Sequence, residues 1–234
     1  MDDPALDIAR SHATLLRVAR GELTPLPRVY RPAPALAFGR LDARREGFGA
    51  ARDAARARAY APVMRLAGGQ AAAYDAQSLV VEQFLGPDDV GGDLHERFGD
   101  MTTLLAEALA ELGVDARVGE LPGEYCPGEH SVNSRGTLKV AGAAQRVVKH
   151  AALVSAVVVV GHGAAIRDVL VAVYAALGVD WDPSTAGALT DHHPELTIDA
   201  VEGAVVAALG GTALWRTDET TEALAATLVA QHRI

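Results

Sequence analysis

The sequence predicts an α+β domain in which a central mixed or antiparallel β-sheet is flanked by helices. Three observations carry this expectation. Several segments repeat their apolar residues at helical spacing, as Leu6, Ile8, Leu15, Leu16 and Val18 do. Others are extended runs rich in β-branched residues, above all "AALVSAVVVVG". These runs cluster between the helices without regular alternation, which argues against a doubly wound parallel sheet.

Taken in order, residues 5–20 read as a helix stopped by Gly21. "RVYRPAPALAFGR" reads as two short strands divided at its prolines, and "GAARDAARARAY" as an arginine-rich helix. "APVMRLAGGQAAAYD" has the form strand, glycine turn, strand, and "QSLVVEQFLG" continues extended. Residues 93–112 form the next predicted helix, with Gly113 as its C-cap. "DARVGEL" is a short strand, and "PGEYCPGEHSVNSRG" is a loop dense in Pro, Gly, Ser and Asn. "TLKVAGAAQRVVKHAALVSAVVVVG" holds two strands, and "AAIRDVLVAVYAALG" is an amphipathic helix. After a loop through "DWDPSTAGALTDHH", helices near 198–209 and 221–232 flank the extended piece "TALWRTD".

Composition narrows the function classes. A chain of 234 residues buries roughly 70–75% of its unfolded surface, so its core needs no disulfide or structural metal. The net charge of −9 argues against sequence-independent binding to nucleic acid, which depends on neutralising phosphates. One cysteine cannot form an internal disulfide, which points to a reducing compartment. The start "MDDPALDIAR" is acidic and lacks an apolar core, and the longest apolar run is too short to cross a bilayer. A cytoplasmic protein with no membrane partner is expected.

Five short stretches carry candidate chemistry, each with an ordinary alternative. In "VVVVGHGAAIRDVL" only Gly161 and Gly163 are present, so a tight strand-to-helix turn explains it better than nucleotide binding. In "TDHHPEL" the adjacent His192 and His193 point in different directions, which suits a surface loop better than a metal site; no residue is assigned to a metal. Cys126 in "GEYCPGEH" is either a small buried hydrophobe or an exposed loop thiol with His130 near it in sequence. Gly68-Gly69 in "RLAGGQAAAYD" make either an ordinary hairpin turn or a loop that lets backbone approach a ligand. There Arg65 would supply charge, and Ala71, Ala72 and Ala73 would leave room. Lys139 in "GTLKVAGAAQR" is one of only two lysines in an arginine-rich chain. It is either a strand-edge charge or a compact ammonium for point-charge chemistry that a planar guanidinium does badly.

Together these motifs resemble the lipoate–protein ligase and octanoyltransferase family over nearly the whole chain. That family shares the biotin/lipoate protein ligase fold, a class II synthetase-like α+β architecture. "VMRLAGGQAAAYD" is similar to the family's Arg-Arg-x-x-Gly-Gly-x-Ala-x-x-His-Asp loop, with Arg65, Gly68, Gly69, Ala71 and Asp75 agreeing. "LKVAGAAQR" is similar to its Lys-[Ile/Val]-x-Gly-[Ser/Ala]-Ala-[Gln/Tyr]-Arg element, with Lys139, Gly142, Ala144, Gln145 and Arg146 agreeing. Met64 stands in place of the first arginine, Tyr74 in place of the histidine, and Ser155-Ala156 in place of a later His-Gly pair.

The resemblance implies a single catalytic domain over residues 1–234, without the large C-terminal accessory domain of bigger ligases. It implies attachment of a lipoyl or octanoyl group to the acceptor lysine of a lipoyl domain, with no tightly bound cofactor. Lys139 and Cys126 are the implied catalytic residues. Arg65, Gly68, Gly69, Ala71, Tyr74, Asp75, Gly142, Ala143 and Ala144 are the implied substrate-binding residues. Two routes compete. A ligase would use ATP with Mg and lipoate to make an acyl adenylate, in a small ligase with an accessory protein. A transferase would take octanoyl from acyl carrier protein onto Cys126. The alternative from another class is a catalytically degenerate module that binds an acyl chain or a partner; biotin ligase-like activity ranks last. The discriminating observation is whether Cys126 faces the same cavity as Lys139.

Overall fold

The computed structural model describes residues 3–90, 93–211 and 217–234, except for the side chain of Leu94. The chain begins with α1 (Pro4–Ala19), β1 (Leu26–Tyr30), β2 (Ala35–Phe38), α2 (Phe48–Arg56) and β3 (Ala61–Met64). It continues through β4 (Ala72–Tyr74), β5 (Ser78–Leu85), a single turn α3 (Pro87–Val90), α4 (Leu94–Ala110) and β6 (Ala116–Val118). Then follow β7 (Val132–Ser134), β8 (Leu138–Val148), β9 (Ala151–Val159), α5 (Gly163–Leu177), α6 (Ile198–Ala208) and α7 (Glu219–Leu228). Most of the expected extended piece "TALWRTD" lies outside the described residues.

Local chemistry explains the element ends. Asp3 caps α1 by accepting from the Ala5 N–H, and Pro4 opens the helix where a missing N–H does no harm. Asp93 caps α4 and Thr197 caps α6 in the same way. α4 stops at Ala110, and Gly113 (φ +82) closes the turn beyond it. Gly178 ends α5 in the left-handed conformation that glycine adopts without steric cost.

Six strands form an antiparallel sheet in the order β1-β5-β9-β8-β7-β6, and three form a smaller mixed sheet, β3-β2-β4. The segment read as strand–turn–strand is therefore not a hairpin. β3 and β4 do not pair with each other; β2 lies between them, parallel to β3 and antiparallel to β4. The glycine turn connecting them spans the width of the small sheet, which places it at a rim where a pocket can open.

One face of the large sheet packs against α4 and α6 through Leu79, Val81, Leu105, Leu109, Val140, Val154, Val158, Val201 and Val205. On the other side, Leu15 and Val18 of α1 cover Phe84 and Leu153. α5 buries Ile166, Val169, Leu170, Val173, Tyr174 and Leu177 against the small sheet and α2. At roughly 1.5–3 kcal/mol for each buried aliphatic side chain, this face anchors the small sheet. No helix among the described residues is long and apolar enough to cross a membrane.

The C-terminal turn is fixed by two histidines. His232 Nδ1 donates to the Met64 carbonyl (2.9 Å), leaving its Nε2 to accept from His12 Nδ1 (3.1 Å). Burial, with His232, Arg146 and Arg40 nearby, pushes the His12 pKa down to about 4 from an ordinary 6.5. Burial lowers that of His232 as well. The unfolded chain thus binds protons more readily than the folded one between pH 6.5 and 4, so acidification through this window destabilises the fold. Thermal denaturation at pH 7 and pH 5 should show a loss of about 1 kcal/mol after discounting for partial exposure. His12→Gln should flatten that dependence.

Candidate active site

Lys139 lies on β8 where the strand is irregular. Asn133 pairs with Lys139 and Val132 with Ala141, so Val140 is an extra residue on the β8 side. Such a bulge breaks the alternation of faces. It allows Lys139 and Gly142, three positions apart, to meet on one side: a Cβ at Gly142 would lie 3.2 Å from Lys139 Cε. Any larger residue at 142 would displace the lysine side chain.

The Lys139 side chain is only 3% exposed, and its carboxylate partner Glu124 is fully buried. Nζ donates to Glu124 Oε1 (2.8 Å), the Tyr125 carbonyl (3.0 Å) and the Cys126 carbonyl (2.8 Å), so all three ammonium donors are used. The Tyr125 ring lies 4.9 Å from the charge. Glu124 is saturated in turn by Ser131 Oγ (2.5 Å) and the Leu121 N–H (3.0 Å). Lysine thus gathers the loop 121–131 around itself.

Cys126 is held from three directions. Its carbonyl faces Lys139, and its N–H donates to the Tyr174 hydroxyl (3.1 Å), which itself donates to the Ala71 carbonyl (2.9 Å). Its Sγ accepts the Gln70 N–H at 3.1 Å. These contacts hold a φ of +43, a region that non-glycine residues occupy at a cost of about 1–2 kcal/mol. Gly69 is what lets the sulfur approach. It has φ +102, and a Cβ there would sit 2.8 Å from Arg65 Nη1 and 3.0 Å from Cys126 Sγ. Arg65 Nη1 donates to the Gln70 carbonyl (2.7 Å), so the guanidinium and the thiol flank the same glycine turn.

Between the small sheet and strands β8 and β9 lies a cavity of about 400 Å³. Of the residues singled out in the sequence, Arg65, Gly68, Gly69, Cys126, Lys139, Gly142, Ala143 and Ala144 line it. Ala72, Ala73 and Val157 add apolar wall, Ser155 and Gln145 add polar groups, and Phe98 of α4 and His130 also line it. Tyr74 faces instead a smaller chamber of about 60 Å³, which shares Arg65, Ala72, Ser155 and Val157 with the cavity. Burial pushes the Tyr74 hydroxyl above its ordinary pKa. Ala71 and Asp75 lie outside both walls. Ala71 is fully buried, and Asp75 accepts from the Gln77 N–H (2.8 Å) and meets His162 Nδ1 (2.8 Å) in the turn before β5.

Glu124, Tyr174 and Gln70 were not foreseen. Glu124 stands two residues before the cysteine in a loop whose composition signals only turns, and Tyr174 sits in a helix that reads as ordinary core. Neither pairing leaves a local sequence signal.

The buried pair makes its own stability prediction. Lys139→Ala leaves the Glu124 carboxylate buried without its counter-ion, which should cost roughly 3–5 kcal/mol in urea denaturation. Combining Lys139→Met with Glu124→Gln should recover more than half of this, a non-additivity that a double-mutant cycle measures.

Comparison with known proteins places this geometry. The model of the "lipoyl protein ligase A/B catalytic domain" family matches residues 3–210. An octanoyl-GcvH:protein N-octanoyltransferase from Exiguobacterium sibiricum is 34% identical over 97 residues; the match spans 42% of this chain and 35% of the relative. The fold is similar to that of lipoate-protein ligase A solved with ATP bound (TM-score 0.76, 23% identity, 98% of this chain and 90% of the other). It is also similar to a bi-partite lipoate protein ligase from Thermoplasma acidophilum, described with its E2 lipoyl domain (TM-score 0.74, 22% identity, 99% and 90%). With its large antiparallel sheet, its glycine loop and its buried strand lysine, the chain belongs to the lipoyl protein ligase A/B catalytic domain family.

Proposed function

We propose that this protein is an acyltransferase that moves an octanoyl or lipoyl group through a Cys126 thioester to the acceptor lysine of a lipoyl domain. The observation that carries this reading is that Cys126 and Lys139 line one cavity, with the lysine ammonium bonded to the cysteine's own carbonyl. A thiol in that position exchanges with an acyl carrier thioester: the carbonyl carbon gains a bond to Sγ, and the carrier leaves as its thiol. The amine of the acceptor lysine then attacks the Cys126 thioester, forming an amide and returning the thiol.

The chain's own groups suit these steps. The small residues of the glycine loop and of β8 leave space for an unbranched chain. The Gln70 N–H orients the sulfur. Lys139 would release one of its loop carbonyls to meet the charge that develops on the thioester oxygen, in a site shielded from water. The adenylate route has less support. Among the described residues, the only Arg or Lys side chains on the cavity wall are Arg65 and Lys139, which leaves little countercharge for a triphosphate. The name of the Exiguobacterium relative supports an octanoyl substrate and a protein acceptor.

Incubation with octanoyl-carrier protein, or with octanoylated GcvH, should add the mass of one octanoyl group to Cys126 by intact-mass spectrometry. Subsequent addition of a lipoyl domain should move that mass to the acceptor. Cys126→Ser should abolish both, with a rate loss of at least about a thousandfold in transfer. Lipoyl transfer that survives this substitution and requires ATP would establish the ligase route instead. No reaction from any donor would leave a binding module.

A further inference from the structure

A second cluster of chemistry-bearing residues adjoins the cavity through His130 and takes no part in the proposed transfer. His95 is the second residue of α4, while Glu129 and His130 end the loop that carries Cys126. One ligand atom from each of the three lies within 4.8 Å of the others. His130 stacks on Phe98 (5.3 Å, 12°), and its ring centroid is 5.8 Å from that of His95. Its Nε2 is shut off from solvent and has no hydrogen-bond partner among the described residues. A buried imidazole nitrogen without a partner is uncommon and costly, and here it occurs beside a second imidazole and a carboxylate.

We propose that His95, Glu129 and His130 bind a divalent transition-metal ion, of which zinc is the best fit, and that the ion clamps the Cys126 loop to α4. Two imidazoles and one carboxylate are the donors such ions select, whereas magnesium and calcium prefer all-oxygen sets. Zinc bonds of about 2.0–2.2 Å require the three ligand atoms to draw closer together. Both His95 and Glu129 are exposed side chains, free to change rotamer around the more fixed His130. A three-residue set leaves the fourth tetrahedral position open. Because Phe98 and His130 both line the cavity, an ion between their elements fixes the spacing of that part of its wall.

The test reads metal binding and not acyl transfer, so it stands apart from the proposed function. Calorimetric titration of the full chain with zinc chloride at pH 7 should give one ion per chain and an accompanying rise in Tm, with no response to magnesium. His95→Ala and Glu129→Gln, both surface substitutions, should each weaken zinc binding by at least about tenfold while leaving the far-UV spectrum unchanged. Cys126→Ser should retain the site. Zinc affinity unchanged by His95→Ala, lost on Cys126→Ser alone, or absent altogether would overturn the proposal.

Discussion

A buried ammonium must be fully hydrogen-bonded, and much of the site follows from that constraint. Removing Lys139 from water carries a penalty of several kcal/mol, which a single carboxylate does not offset. Glu124 supplies the opposite charge, and two consecutive loop carbonyls supply the remaining acceptors. For both carbonyls to face the same nitrogen, the chain must turn sharply between Tyr125 and the residue after it. Cys126 takes that turn in a left-handed conformation, which directs its side chain toward the glycine loop. The lysine therefore determines where the thiol points without touching the sulfur.

Space is the second requirement, and glycine and alanine provide it. A side chain at Gly69 would collide with both Arg65 and Cys126, and one at Gly142 would displace Lys139. The smallest residues occur where the two sheets approach each other, and the cavity is the gap their missing side chains leave. The smaller chamber beside it is lined mainly by apolar side chains, with Tyr74, Ser155, Ser11 and Glu82 among them, and Glu82 is paired there with Arg28 (3.1 Å).

Much of this was legible in the sequence, for different reasons in different places. Long elements announced themselves through periodicity: α1, α4 and α5 at helical spacing, and β8 and β9 as β-branched runs. The order and spacing of "RLAGGQAAAYD" and "LKVAGAAQR" pointed to a shared site through their resemblance to the lipoate–protein ligase and octanoyltransferase family. What stayed hidden depends on tertiary register. The pairing of β3 and β4 on opposite edges of β2 is decided by α5 and α2 packing beneath the small sheet. Asp75, part of the same motif string, is turned away from the cavity because it closes the turn into β5. The bulge at Val140 has no composition of its own; a valine in a valine-rich strand reads like its neighbours.

The Tyr174 hydroxyl has a consequence beyond positioning. It joins the Cys126 amide to the Ala71 carbonyl, so one phenol from the last turn of α5 links the Cys126 loop and the end of the glycine loop to the buried core. Loop amides ordinarily exchange with solvent through small local openings. The Cys126 amide can open only if a core helix shifts or the phenol rotates against Trp181, whose ring centre lies 5.5 Å away. In hydrogen-exchange terms, the Cys126 amide is expected in the slow class of the core although it sits in a loop.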